Sequence, residues 1–318
     1  MASGGGRPES GNPVKDRPDR VRVFAPGSIA NFGPGFDCFG MCVESPGDVI
    51  EARLSRHAEI VTKGFDTPAD PEKNGAYVAA KAYLRWAGVD LELEMVVEKG
   101  VRPNGGLGSS GASCAGGAYA AALLAGRVEP SEVIIAAGRG EAACAGATHY
   151  DNVAASVLGG FAIVDPSVPH FEAIPVPKWG LAVVTPDVEV PTREARAILP
   201  KEYARGALVE TAARCAMMVK AITRRDLALV GKCLRDVVHV PYRKKLIPHF
   251  DEVERAAMDA GAAGFSISGS GPTVFAVTSA QDRAEEVARA VVEAFERGDL
   301  AAEGRTTLPG GGVQRFED

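Results

Sequence analysis

Residues 103–113 read PNGGLGSSGAS, and residues 114–125 continue as CAGGAYAAALLA. Alanine and leucine have high helix propensity, so the second stretch predicts a helix and the first a glycine-rich loop feeding its N-terminus. The first N–H groups of a helix lack partners within it, and the aligned peptide dipoles place about half a positive charge there. Glycine lets backbone approach a ligand closely. A phosphate is the simplest ligand for that geometry. The loop is not a Walker A sequence, because Leu107-Gly108-Ser109-Ser110 stands where a Lys-Ser/Thr pair would follow the last glycine. A glycine turn that only caps a helix is the competing reading. The two hydroxyls weigh against it: Ser109 is expected to cap the helix, leaving Ser110 to face a phosphate or its magnesium.

The whole chain has 318 residues, enough for one large or two modest domains. With 46% hydrophobic and 24% charged residues, it has the composition of a folded globular protein. A net charge of -6 gives no support to a nucleic-acid partner. No stretch reaches the roughly 20 apolar residues of a membrane span, so no membrane partner is expected either. Six cysteines without a CxxC pair read as the reduced thiols of a cytoplasmic protein. Residues 1–20 lack the apolar core of a signal peptide and read as a disordered tail.

Upstream of the loop, LELEMVVE at 91–98 alternates and predicts a half-buried strand. A short strand is expected at 21–25, a structured loop over 26–40 (PGSIANFGPGFDCFG), strands at 47–54 and 58–62, and an amphipathic helix at 75–87. Downstream, a helix opened by Ser131 covers 131–145, and a shorter one at 152–158 is capped by Asp151 and ended by Gly159-Gly160 before the strand FAIVD. Prolines at 166, 169, 175 and 177 mark the boundary between domains over 21–170 and 171–318. The second domain reads as a strand (LAVVT), helices near 192–199, 202–223, 226–235 and 251–260, strands at 264–268 and 273–278, a helix at 281–297 and an edge strand in GVQRFE. This is a split β-α-β pattern, and the fold class is α+β.

Magnesium beside phosphate takes a carboxylate and keeps several waters. Glu141, in GRGEAACAGA where little else is charged, is a candidate, although helix glutamates are usually only solvated. His149 and His239 read as structural, since one histidine per motif makes no metal cluster.

PNGGLGSSGAS resembles the phosphate-binding motif of the GHMP small-molecule kinases. FAPGSIANFGPGFDCFG (24–40), HYDNVAASVLGGF (149–161), PTREARAILP (191–200) and PYRKKLIP (241–248) resemble the homoserine kinases of that superfamily in particular. GAAGFSISGSGPTVFA (261–276) is similar to the superfamily's C-terminal glycine motif. The resemblance implies a GHMP kinase-like fold, with a ribosomal S5 domain 2-like N-terminal domain that binds ATP and a ferredoxin-like C-terminal domain. It also implies ATP-dependent phosphorylation of the L-homoserine hydroxyl to O-phospho-L-homoserine, in threonine biosynthesis. ATP would lie along Pro103, Asn104, Gly105, Gly106, Leu107, Gly108, Ser109, Ser110, Gly111, Ala112 and Ser113, with Mg2+ on Ser110 and Glu141.

Homoserine is a zwitterion with a terminal hydroxyl. Within the resembling segments Arg196 and Arg243 suit its carboxylate, Asp37 its ammonium, and Asn31 and Asn152 the positioning of ammonium or hydroxyl. Asp151 matches an aspartate of mevalonate kinase-like relatives and joins Asn152 and Arg196 as a supporting catalytic residue. The hydroxyl proton can alternatively pass to a γ-phosphate oxygen. Other small alcohols (threonine, shikimate, mevalonate) and a non-catalytic sensor on the same fold are the competing functions. The chain departs from the family pattern at Gly27, Tyr150 and Val240, the last replacing a glutamate expected to orient Arg243. Oligomeric state is left open, and a homodimer is compatible with the sequence.

Overall fold

The computed structural model describes residues 17–167 and 169–317. Of the tail expected over 1–20, residues 1–16 lie outside the described residues. The first part of the chain forms β1 (Val21–Ala30), β2 (Phe39–Ser55), β3 (Glu59–Gly64), α1 (Gly75–Trp86), β4 (Glu92–Lys99), α2 (Ser109–Leu124), α3 (Pro130–Ala145), α4 (Tyr150–Leu158), β5 (Phe161–Asp165) and β6 (His170–Ile174). The second part forms β7 (Gly180–Pro186), α5 (Thr192–Ala197), α6 (Arg205–Thr223), α7 (Leu227–Cys233), α8 (Val240–Arg243), α9 (Phe250–Asp259), β8 (Gly264–Ile267), β9 (Val274–Thr278), α10 (Gln281–Arg297), β10 (Ala302–Thr307) and β11 (Gln314–Arg315).

Two sheets result. The first runs β11-β1-β2-β4-β3, with β5 on β2 and β6 on β5. The second runs β10-β7-β9-β8, the order of a ferredoxin-like β-α-β-β-α-β unit. The loop expected over 26–40 is shorter than composition implied. β1 extends to Ala30 and β2 starts at Phe39, so only residues 31–38 connect them. The glycines and prolines inside these strands mark an irregularity: the β1–β2 register shifts between Pro26 and Ser28. Strand β2 changes partners along its length, pairing β5 at Phe39–Met41 and β4 at Val49–Ser55.

Residues through Ile174 join the first sheet through the β5–β6 pairing. β10 was not anticipated, because AEGRTT is polar and mostly exposed, as edge strands often are. The expected terminal strand exists as β11, but it pairs with β1 of the first sheet.

One face of the first sheet packs on α1 to α4. Helix α2 is buried nearly all round, as its small residues allow. A Cβ on Gly117 would lie 2.1 Å from the carbonyl oxygen of Ala76, so a larger residue would push α1 away. In the second sheet LAVVT and VFAVT are apolar runs because both faces are covered. Leu181, Val183, Phe275 and Val277 face a core shared with Ile29, Phe32, Met41 and Phe161 of the first half. Ala182, Val184, Val274 and Ala276 face α9 and α10. The shared core fuses the two sheets, and the loop of residues 31–38 lies against it.

A buried ion pair joins β2 to the end of β4. The side chains of Lys99 and Asp48 are 2% and 0% exposed and bonded to each other. Asp48 also accepts from the N–H groups of Gly100 and Val101, at 3.0 Å each, and from Ser113 Oγ at 2.6 Å. Removing one member of a buried pair leaves an uncompensated charge, at about 3–5 kcal/mol. Asp48→Ala is therefore expected to lower the unfolding free energy by about 3–5 kcal/mol in urea titrations. Arg53→Ala, which breaks an exposed pair with Glu94, is expected to change it far less.

Candidate active site

The glycine loop leaves β4 and enters α2 through Gly108, whose φ of 62° is left-handed. A Cβ there would lie 2.4 Å from Ser28 Oγ and 2.6 Å from Asn152 Oδ1, so the position requires glycine on two counts. Ser109 does not cap the helix. Gly108 is the cap residue, no side chain closes the cap, and Ser109 Oγ donates to the Val101 carbonyl at 2.8 Å. The first-turn N–H groups of α2 are thereby free of side-chain competition, as an anion site needs.

Lys99 donates to the Ser109 carbonyl at 2.6 Å, tying the loop to the buried ion pair. From the second sheet, Ser268 Oγ donates to the Gly106 carbonyl and Thr273 Oγ1 to that of Gly105. SGSGPT thus braces the loop from the other half.

Ser110 Oγ donates to Glu141 Oε1 at 3.0 Å, and His149 Nδ1 lies 3.0 Å from the same oxygen. Glu141 is 2% exposed, so it is not a solvated helix glutamate. Its bond to Glu141 holds the His149 imidazole above its ordinary pKa. His149 therefore belongs to the site as well as to the scaffold. Two buried carboxylate oxygens that line the cleft have no partner among the described residues, Glu141 Oε2 and Asp151 Oδ1.

Asp151 is not a cap: α4 starts at Tyr150 behind His149, and the Asp151 carboxyl is buried in the first turn. Asn31 N donates to its Oδ2 at 3.3 Å. Burial, and then the negative charge of Asp37, push its pKa from 3.8 up to about 6, against the pull of His149 and the N–H groups of Asn152 and Asn31.

The 31–38 loop brings Asn31 and Asp37 to the same cleft. Asn31 (φ 66°), Phe32 (φ 36°) and Asp37 (φ 56°) all hold left-handed backbone, a strain that must be held in place by surrounding contacts. Those contacts are present. Phe32 stacks on Phe275 and meets Phe161 edge-on, while Asn31 Oδ1 accepts from Asp37 N at 3.1 Å. Asn31 Nδ2 reaches the Gly269 carbonyl at 3.3 Å and lies 3.4 Å from His239 Nε2.

Arg196 makes a two-pronged pair with Asp37, at 3.1 and 3.0 Å. Arg243 is 3% exposed, and it donates to the carbonyls of Ala195 (3.2 Å) and Gly269 (2.7 Å). No glutamate at position 240 is needed, because two backbone carbonyls aim its guanidinium. Burial, and then the charge of Arg196, lower the Arg243 pKa to about 10, so it stays charged at neutral pH. Phe36 lies under both guanidinium groups, 5.4 Å from Arg196 and 5.2 Å from Arg243.

A cleft of about 470 Å³ runs between the glycine loop and the 31–38 loop. It is lined by Asn31, Asp37, Asp151, Asn152, Arg196 and Arg243 at one end, and by Pro103, Asn104, Gly106, Gly108, Ser109, Ser110, Ser113 and Glu141 along its length. Gly105, Leu107, Gly111 and Ala112 are in the motif but do not line it. Leu107 and Ala112 are core residues, and Leu107 accepts from Ser28 N at 3.1 Å. Lys99 also lines the cleft, and sequence reasoning missed it along with Asp48 and Ser28. Only the placement of Lys99 directly before the glycine loop hinted at its role.

A magnesium ion would find a hydroxyl at Ser110 and a spare carboxylate oxygen at Glu141, which fits its preference for few protein ligands beside phosphate. No group of three His, Cys, Asp or Glu able to hold a metal by itself occurs among the described residues.

The family models for the GHMP kinases N terminal domain and GHMP kinases C terminal match residues 74–160 and 218–297. Homoserine kinase of Pyrococcus abyssi is 42% identical over 298 residues, covering 93% of this chain and 100% of its own. Homoserine kinase of Methanocella arvoryzae is 37% identical, covering 93% of this chain and 97% of its own. The crystal structure of homoserine kinase from Cytophaga hutchinsonii superposes with a TM-score of 0.89 at 34% identity, over 95% of this chain and 99% of that one. Lactococcus lactis galactokinase complexed with galactose, at 16% identity and a TM-score of 0.71 over 96% of this chain and 97% of its own, shares the fold alone. With the glycine loop, the strained 31–38 loop and the arginine pair in place, the chain belongs to the homoserine kinases of the GHMP kinase family.

Proposed function

We propose that this chain transfers the γ-phosphoryl group of ATP to the hydroxyl of L-homoserine, giving O-phospho-L-homoserine and ADP on the route to threonine. The observation that carries the reading is one cleft holding both a phosphate-binding helix terminus and a matched set of opposite charges, Asp37 with Arg196 and Arg243. A zwitterion presents the complementary set. Its carboxylate suits the planar donors of the arginines, and its ammonium suits Asp37. Six free cysteines agree with a reducing, cytoplasmic setting. No helix among the described residues is long and apolar enough to cross a membrane.

Phosphoryl transfer depends mainly on positioning and charge neutralisation. Backbone N–H groups at the start of α2 hold the nucleotide phosphates, with Lys99 fixing the loop from beneath. Ser110 and Glu141 would hold a magnesium ion accompanying the nucleotide, which would supply further neutralisation of the phosphate oxygens. The acceptor end fixes the hydroxyl near the γ-phosphorus, with Asn152 beside the loop. As the new O–P bond forms and the bond to the ADP oxygen breaks, the hydroxyl proton leaves to Asp151 Oδ1 or to a γ-phosphate oxygen. Threonine carries the same charges on a secondary alcohol and is the competitor that assays must include.

In a coupled ADP-release assay across homoserine, threonine, mevalonate and shikimate, homoserine is expected to give the highest kcat/KM. Turnover of another alcohol without homoserine would remove the substrate assignment. Loss of a charged hydrogen-bond donor is worth about 1.5–3 kcal/mol, so Arg243→Ala is expected to raise KM for homoserine roughly 10–100-fold and that for ATP little. Equal effects on both would contradict a carboxylate role.

Asp151 has a further consequence for stability. Because its folded pKa, about 6, exceeds 3.8, the folded state binds more protons between those values and stability falls as pH rises through them. Asp151→Asn keeps an acceptor for Asn31 N and drops the charge. Its stability gain over wild type is expected to be about 2–3 kcal/mol larger near pH 7.5 than near pH 4. A gain that does not change with pH would show that burial of the charge is not its cause.

A further inference from the structure

Three hydrogen bonds join β1 and its following residue to α4. Ser156 Oγ donates to the Pro26 carbonyl at 2.7 Å, Asn31 N donates to Asp151 Oδ2 at 3.3 Å, and Ser28 Oγ lies between them. The Ser28 hydroxyl is 2.9 Å from Asn152 Oδ1 and 3.3 Å from the Asn152 carbonyl. A hydroxyl has one proton to give, and the shorter contact takes it. Ser28 is fully buried, its own N–H is held by the Leu107 carbonyl at 3.1 Å, and it does not line the cleft. Asn152 does line it.

We propose that Ser28 is a positioning residue that holds the Asn152 amide by its oxygen, so that Asn152 offers only its Nδ2 donors to the reacting groups. The argument rests on the phosphoryl-transfer reading above. With Oδ1 engaged by Ser28, the amide has no other bonding partner among the described residues, and its NH2 group is what remains for the cleft. Such an amide holds the acceptor oxygen, or a transferring phosphoryl oxygen, by a lone pair. It cannot take the hydroxyl proton. The acceptor oxygen keeps its second lone pair for attack on phosphorus. As the O–P bond forms and ADP leaves, the proton departs to Asp151 or to a γ-phosphate oxygen, never to Asn152.

The same contact links the two subsites. A Cβ on Gly108 would strike both Ser28 Oγ and Asn152 Oδ1, and one on Gly111 would lie 3.1 Å from Asn152 Cβ. The phosphate loop therefore closes directly over the serine–asparagine pair, and the amide orientation is set where donor and acceptor meet. Because Ser156 and Asn31 anchor α4 independently, loss of the Ser28 hydroxyl frees the amide without releasing the helix.

The test compares wild type with Ser28→Ala, Ser28→Cys, Asn152→Ala and the Ser28→Ala/Asn152→Ala double variant, by kcat, both KM values and thermal midpoint. Loss of one orienting hydrogen bond is expected to lower kcat roughly 10-fold in Ser28→Ala, with KM for ATP and the midpoint little changed. Ser28→Cys keeps the side-chain shape, slightly enlarged, with a weak donor and is expected to follow Ser28→Ala, which covers the case of an alanine variant that does not fold. The double variant is expected to be no slower than Asn152→Ala, since Ser28 acts through that amide. Full activity in either Ser28 variant, or multiplying losses in the double variant, would overturn the proposal. Asn152→Asp supplies the orientation readout. It is expected to lose at least about 100-fold in kcat across the pH range, as an anion replaces the donor. Activity that is retained, or that recovers as pH rises, would show an oxygen facing the substrate and overturn it too. Wild-type turnover of homoserine in the same runs tests the substrate reading separately. If another alcohol is the acceptor, the same variant ratios are read with that alcohol.

Discussion

The buried pair of Lys99 and Asp48 is the constraint on which the site depends. A lysine ammonium at the end of β4 is out of water, and burial pushes its pKa down while Asp48 holds it up. One proton-rich group thus meets a carboxylate from β2 and the carbonyl of Ser109, the first residue of α2. Strand, loop and helix are thereby fixed at a single point. The loop cannot drift from the sheet without breaking a hydrogen bond from a buried ammonium, which costs more than the loss of an ordinary neutral hydrogen bond. Preorganisation of this kind keeps the free N–H groups at the start of α2 in place.

From that point the constraint passes outward. Gly108 turns the loop over Ser28 and Asn152, and Ser268 and Thr273 secure it from the second sheet. The strained 31–38 loop is held between the same two halves, with Asn31 touching α4, Asp37, Gly269 and His239. Groups with unfavourable local states gather here: left-handed non-glycine backbone, a carboxyl shifted to about 6, and a guanidinium lowered to about 10. Such clustering is a mark of functional sites, because the surrounding core supplies the stability that the site gives up.

Local chemistry in the sequence was informative wherever the structure is local. The glycine loop before an alanine-rich helix, the apolar runs LAVVT and VFAVT, and the helix over 281–297 correspond to a loop, two central strands and α10. The errors share a cause. Ser109 looked like a cap by type, but Gly108 in left-handed geometry turned its hydroxyl back to Val101. The strand expected at 47–54 starts earlier, at Phe39, because β2 continues through Pro46 and Gly47 as it passes from one partner strand to another. The links from Asp48 to Lys99 and from Ser28 to Asn152 join residues far apart in the chain, so no window of sequence could show them. Motif resemblance filled part of that gap by naming Asn31, Asp37, Arg196 and Arg243, which line one cleft. It did not reveal that Arg196 and Asp37 bond each other, or that Arg243 is aimed by backbone carbonyls.

The central claim is that one cleft brings the ATP γ-phosphoryl group to the homoserine hydroxyl. Phosphorus NMR of a reaction containing the protein, ATP, magnesium and L-homoserine tests it most directly. The γ-phosphorus signal is expected to be replaced, one for one with ADP, by a phosphomonoester triplet coupled to the two protons of the homoserine terminal CH2. ADP accompanied only by inorganic phosphate, with homoserine unchanged, would contradict it.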